Sequence, residues 1–524
     1  MRGDQPQRGR KASSGEADAG ITQSAEQLEA PGMRSDKRPG RLWFRVAAIA
    51  LGLMPLILLE VACRYWAPSQ RQTAIDPYVD LNALRPLFEF DDSTREYGIG
   101  TERLHLFAPA RFSADKSPKD FRVFALGGST TQGEPYSTPT AFPKWLEIRL
   151  QAMMPSRRVE VINCGGLSYA SYRVAAICRE VLEYQPDLIV VYSAHNEYLE
   201  RRSYKPQASA SLIARVSRNL ASCLKSVQFV QQLVNGPAER SSQVDLTEMS
   251  AEVDALLDYQ GGLEDYRRGS DWQEGVVEHY QWNMEMVADS CEDASVPAVF
   301  VIPTSNILDC PPMKFEVDPE LSPSELGAFN AAWEESREVA QTDRSRAIKL
   351  LEEAIEIDSE HAGALFLLGR LYSEQRDYEQ AKLYLESARD ADVCPLRATS
   401  EIVRSLRTTL RGRTLVVADG ERLFEELSPN GLVGDRWLVD HIHPSVAGHQ
   451  RLADLIGDEL VAEGMILPEV DEANWSGKQR EMIAQHLASL GEEYYHRGKQ
   501  RLRGLQLWTQ GRAKKVRSES SSTE

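Results

Sequence analysis

The chain has 524 residues, a formal net charge of −18 and seven cysteines, which is length enough for two or three domains around a sizeable core. The acidic balance excludes nucleic acid as the main partner, since that would favour a basic stripe. Cys63, Cys164, Cys178, Cys223, Cys291, Cys310 and Cys394 are odd in number and contain no Cys-x-x-Cys pair, so neither a zinc site nor a disulfide framework is expected.

Residues 1–42 are rich in Gly, Ser, Gln, Glu and Arg and cannot bury enough apolar surface to order themselves. They read as a disordered basic tail. Val46 to Cys63 is free of charge apart from Glu60, with Trp43 and Phe44 before it and Tyr65 and Trp66 after it. Its eighteen residues predict a transmembrane helix over 43–66, with an interfacial or buried helix as the alternative. Arg34, Lys37, Arg38, Arg41 and Arg45 precede it, which would leave the N-terminus cytoplasmic and the rest periplasmic or extracellular. Residues 67–120 read as a juxtamembrane linker of mixed β and loop character.

From 121 the pattern changes to strands alternating with helices. Phe121–Leu126, Arg158–Asn163, Pro186–Tyr192, Pro297–Ile302 and Thr414–Ala418 are short apolar or alternating runs. Helical spacing separates them at 141–150, 172–184 and 272–290, while about 200–270 is a polar insertion with helical patches. Five such strands predict βαβ units, hence an α/β domain in two parts, 121–321 and 411–464, with a mostly parallel sheet.

Between those parts, 322–410 differs. Ala347, Leu351 and Ala354 recur thirty-four residues later as Ala381, Leu385 and Ala388. Leu365, Leu368, Gly369, Tyr372 and Tyr378 add the spacings of a tetratricopeptide repeat (TPR). A plain helical hairpin is the bland alternative. One and a half repeats cannot stand alone, so the unit should pack on the sheet domain. Residues 465–524 read as a helical segment and polar tail, in which Leu487, Leu490, Gly491, Tyr494 and Gly498 weakly echo the repeat.

Chemistry concentrates at the carboxyl ends of the expected strands. Ser129 follows Gly127 and Gly128 just past the first strand, where ligands bind in open α/β sheets. Asp440 and His443 lie three apart, so one turn can set both on one side, with Pro444 opening the next helix. A carboxylate that fixes an imidazole tautomer, and an imidazole that takes a serine proton, are the parts of a nucleophilic relay. His441 is the rival base. A metal held by Asp440, His441 and His443 ranks well below, and no cofactor is expected. Asn196 follows the third strand, and the 165–168 loop follows the second. A side-chain amide and a backbone N–H from these could hold an oxyanion.

The blocks Gly127-Gly128-Ser129-Thr130-Thr131, Asn163 to Ser168, Ala194-His195-Asn196 and Asp440 to His443 resemble those of the SGNH (GDSL-type) hydrolases. The resemblance covers roughly 120–200, 295–310 and 412–462. It implies a flavodoxin-like three-layer α/β/α fold and a serine esterase. Ser129 would be the nucleophile, His443 the base and Asp440 its orienting acid. The oxyanion would be held by the N–H of Ser129, an N–H from Gly165, Gly166 or Ser168, and the Asn196 amide. The chain departs from the family at Gly128, which stands for an acidic residue, and at Ala194, which stands for glycine. The expected substrate is an ester, such as an acylated glycan or lipid. A polysaccharide O-acyltransferase and a TPR scaffold with a vestigial site are the alternatives. The helical insertion is expected on the active-site rim, as a wall for substrate or a docking face for a protein partner.

Overall fold

The computed structural model describes residues 86–200, 253, 255–258, 262–269 and 271–509, together with 51, 52, 54 and 55. The expected disordered tail, most of the expected membrane span, most of the 200–270 insertion and the last fifteen residues lie outside these. No helix among the described residues is long and apolar enough to cross a membrane. That overturns the expectation of a single-pass protein with an exported catalytic domain. By sequence, Val46 to Cys63 is at the short end of a membrane span: eighteen residues of helix would rise about 27 Å against a hydrocarbon core of about 30 Å. Pro55 and Glu60 interrupt even that length.

Strands β1 (Phe88–Asp91), β2 (Glu96–Ile99) and β3 (Arg111–Ser113) form a small antiparallel sheet. Phe88 and Phe112 meet edge-on at 5.0 Å, and both touch Phe124 of the main sheet. The main sheet then builds up through β4 (Asp120–Gly127), the single-turn α1 (Ser129–Gln132), α2 (Phe142–Met153), β5 (Arg158–Gly165) and α3 (Ser171–Val181). It continues with β6 (Leu188–Tyr192), α4 (Asp271–Asp293) and β7 (Ala298–Ile302). Four helices intervene: α5 (Pro323–Val339), α6 (Arg344–Ile357), α7 (Ala362–Glu374) and α8 (Tyr378–Asp390). The chain returns through α9 (Ser400–Leu410) to β8 (Val416–Asp419), α10 (Gly420–Leu427) and α11 (Val446–Ala462), and closes with α12 (Glu472–Ser489) and α13 (Glu492–Thr509).

The sheet order is β5-β4-β6-β7-β8 and every pairing is parallel. This flavodoxin-like order reverses direction next to β4, which opens a crevice at the carboxyl ends of β4 and β6. Side-chain alternation divides the strands between two cores. Phe124, Leu126, Ile189, Val191 and Phe300 face α3, α4 and α9, where they meet Ile177, Met284 and Ile402. Val123, Ala125, Val190, Val299 and Val301 face α2 and α11, meeting Trp145, Leu452 and Ile456. Burial on both faces explains why these strands read as continuous apolar runs.

The helical insertion has its own small core of Phe329, Ala347, Leu351, Ala354, Ala364 and Leu368. Each helix starts on a side-chain cap: Ser322, with Glu325 completing a capping box, then Asp343, His361 and Asp377. Gly369 lets α7 and α8 approach, since a Cβ there would lie 2.8 Å from Leu385 Cγ. Ala381 and Leu385 of α8 share a buried cluster with Ile307 and Leu432, two residues of the main domain's loops.

Candidate active site

Gly127 ends β4 where a Cβ would meet the Tyr192 carbonyl at 2.1 Å. The chain can then turn into α1 with Ser129 at its first position, and Gly133 ends the turn with a positive φ of 98°. Thr131 Oγ1 donates to the Tyr192 carbonyl at 3.1 Å, and Asn163 Nδ2 donates to the Thr131 carbonyl at 2.8 Å. The serine therefore stands on a turn bound to both neighbouring strands.

From the other end of the chain, the 438–444 loop closes on itself through a Leu438–Pro444 bridge and a 2.8 Å bond from Val439 N to the His443 carbonyl. Asp440 Oδ1 accepts the backbone N–H of Ile442 at 2.9 Å and of His443 at 2.8 Å. Its other oxygen lies 2.7 Å from His443 Nδ1, and His443 Nε2 lies 2.8 Å from Ser129 Oγ. Ser129, His443 and Asp440 thus stand in one hydrogen-bonded line across 314 residues of sequence. Pro444 belongs to the bridge rather than to the helix. Ser445 caps α11 instead, accepting the Gly448 N–H at 3.1 Å.

The electrostatics suit a base at His443. Burial alone would push its pKa down, but the Asp440 charge and hydrogen bond, with a smaller contribution from Glu134, raise it above the ordinary value. Burial would raise Asp440; the opposing pull of His443 and His441 holds it well below the usual carboxylate range. Burial depresses His441 to about 4, and its Nδ1 is 3.6 Å from Asp440, beyond a hydrogen bond. His195, beside them, falls to about 3 for the same reason. Among the described residues, no group of three or more His, Cys, Asp or Glu side chains could hold a metal ion.

The expected oxyanion donors separate into two kinds. Asn196 places its amide nitrogen 2.5 Å from where a Cβ on Gly128 would stand, and donates to the Tyr169 carbonyl at 3.0 Å. Gly165 and Gly166 do not offer free N–H groups, which corrects that expectation. Gly165 N–H is held by Asn163 Oδ1 at 2.9 Å and Gly166 N–H by the Gly127 carbonyl at 3.0 Å. They are glycines for space: a Cβ would meet Gln132 N at 2.2 Å or the Tyr169 and Phe107 rings at 2.6 and 2.7 Å. Ser168 has a positive φ of 61°, and its N–H has no backbone partner among the described residues.

Sequence reasoning missed a second layer. Glu134 is buried beside the site, its carboxyl pushed up by burial and pulled back by Arg501 of α13, 3.7 Å away. The same C-terminal helices hold the 134–140 loop through three bonds. These are Arg501 Nε to the Pro135 carbonyl, Tyr494 Oη with Thr140 Oγ1, and His486 Nε2 with the Pro139 carbonyl, each 2.7 Å. Gly498 lies against the Tyr136 ring. Tyr494 and Gly498 were visible as an echo of the repeat, and the contact they make is with this loop.

Fold and site together define a parallel α/β chain with a serine–histidine–aspartate line in the crevice at the sheet's reversal point. The tetratricopeptide repeat family model matches residues 338–394. No curated protein matches the chain. Among solved structures, a lipase/acylhydrolase from Enterococcus faecalis shows 13% identity, covering 67% of this chain and 100% of its own, at a TM-score of 0.30. An acetyl xylan esterase from Geobacillus stearothermophilus shows 12% identity, 68% and 100% coverage and a TM-score of 0.28. A GDSL-like lipase from Bacteroides thetaiotaomicron shows 9% identity, 65% and 88% coverage and a TM-score of 0.24. At such identities and TM-scores the chemistry rests on the geometry of this site alone.

Proposed function

We propose that this chain is a serine ester hydrolase of the SGNH type, working through an acyl-enzyme. The observation that carries the reading is the Ser129–His443–Asp440 line, with separations of 2.8 and 2.7 Å. His443, in the tautomer fixed by Asp440, takes the Ser129 proton as Oγ attacks the ester carbonyl. The tetrahedral oxyanion is held by the N–H of Ser129, the N–H of Ser168 and the Asn196 amide. Ser129 opens a helix, where N–H groups have no partner within the helix. His443 then returns the proton to the leaving alcohol, and a water it activates releases the acid.

The substrate class is an ester, such as an O-acylated sugar. The helical insertion, which packs on the loops after β7 and before Asp440, is a candidate wall for substrate or protein contact. The test is turnover of short-chain aryl esters by the full chain, together with labelling by a fluorophosphonate. Label on Ser129 that is lost in Ser129→Ala supports the reading. Absence of both turnover and label in the folded protein would end it.

A further inference from the structure

The helical insertion is tied to the proposed catalytic loop by a chain of named bonds. Ile307 and Leu308 donate their N–H groups to the Val433 carbonyl at 3.1 and 3.0 Å, joining the loop after β7 to the loop that leads to Asp440. Asn306 N–H donates to the His441 carbonyl at 3.0 Å, one residue from Asp440, while Asn306 Nδ2 donates to Asp435 at 2.8 Å. The 306–309 loop is thus the seat on which 433–441 rests.

That seat is in turn gripped by the insertion. Arg370 of α7 donates to the Leu308 carbonyl at 2.8 Å and to Asp309 Oδ1 at 3.0 Å. The other Asp309 oxygen accepts the Asp435 N–H at 2.9 Å and lies against Gly434. Arg397, on the segment leaving α8, is almost wholly buried and donates to the carbonyls of Asn306 and Cys310 at 2.9 and 3.0 Å. It is paired with Asp392 at 3.4 Å, whose carboxylate also accepts the N–H groups of Met313, Lys314 and Cys394. From the same segment, Ala398 N–H donates to His195 Nδ1 at 3.2 Å, next to Asn196. The residues between α8 and α9 therefore reach toward both the base loop and the oxyanion loop.

We propose that Arg370 and Arg397 are positioning residues, through which the helical insertion sets the backbone of the loop carrying Asp440 and His443. This rests on reading that loop as the catalytic one. Neither arginine acts on substrate. Each fixes a carbonyl-lined turn, and the Asn306–His441 bond passes that constraint to the relay. Displacing a catalytic group by about 1 Å is enough to cost up to 10²-fold in rate, so the link has leverage on turnover without touching the ester.

The test uses the full chain and three variants, Arg370→Ala, Arg370→Lys and Arg397→Lys. For each, kcat, KM and the pH profile are measured on a small aryl ester, alongside amide hydrogen exchange of segment 433–443. Arg370→Ala is expected to lower kcat by roughly ten- to a hundredfold with KM unchanged. Exchange in 433–443 should rise while β4 to β8 stay protected. Arg370→Lys, which keeps a single charged donor nitrogen, should recover part of both. Arg397→Lys should shift the acid limb of the profile, because Nη1 holds both carbonyls while Nη2 meets Asp392, and an ammonium cannot keep that planar arrangement. Folded variants with wild-type rate, profile and exchange would overturn the link. If the wild-type protein proved inert toward esters, exchange alone would decide: a rise in 433–443 supports the link and no rise refutes it.

Discussion

Replacing Asp440 by asparagine isolates the part of the site that sets proton direction. Asp440 Oδ1 accepts two backbone N–H groups, from Ile442 and His443, at 2.9 and 2.8 Å. An amide nitrogen cannot accept them, so in the D440N variant the amide oxygen must take that place. The NH2 group then faces His443 Nδ1, 2.7 Å away in the native chain, and forces that nitrogen to accept. The ring proton moves to Nε2, which would donate to Ser129 Oγ rather than take its proton. The loop keeps both backbone bonds, so the fold should survive while the chemistry stops. The expected loss in kcat is on the order of 10⁴, or about 5.4 kcal/mol of barrier. Hydrolysis of a short aryl ester, with circular dichroism and a melt as controls, measures it. A folded D440N variant that kept more than about a tenth of the wild-type rate would refute the tautomer argument.

Further outcomes follow from the same geometry. Ser129→Ala and His443→Ala should each remove turnover by about 10⁴ or more with folding intact, while His441→Ala costs far less; an inactive His441→Ala beside an active His443→Ala would reassign the base. Asn196→Ala should lower kcat by roughly 10²–10³, whereas Ser168→Ala should be near neutral because only its backbone is used; equal losses from the two would contradict that division. The base works as neutral imidazole, so kcat/KM should rise as pH increases and His443 loses its proton. Because the Asp440 carboxylate stabilises the protonated imidazole of His443, the rise should be centred above the ordinary histidine value of about 6.5, and Glu134→Gln should move it downward. A wild-type rise centred below that value would contradict the assignment. A group raised in this way adds stability below its unfolded value that fades as pH climbs through the folded one, so His443→Ala should lose more stability on the acid side of neutrality.

The parts legible in the sequence were those with a local signature. Strands buried on both faces left continuous apolar runs such as Val123 to Leu126, and a repeat left matched alanines at Ala347 and Ala381. The Asp440–His443 spacing was legible too, although a turn built on the aspartate oxygen, not a helix, brings the two together. The glycines at 165 and 166 misled because a glycine that frees an N–H and one that makes room look alike as letters. Glu134 with Arg501, and Arg397 with the carbonyls of Asn306 and Cys310, left no trace. Their partners are hundreds of residues away or are backbone oxygens that every residue carries.

Ser129 and His443, the proposed nucleophile and base, are 314 residues apart, and the α13 contact to the Pro135 carbonyl spans 366. A ribosome adding about 5–20 residues per second reaches His443 roughly 15–65 s after it has placed Ser129. Through that interval the growing chain carries Ser129 without its proposed base. It becomes reactive only when β8 and the loop after it have docked. Under the proposed mechanism, any product cut short before residue 443 would lack its base and could not act on an ester.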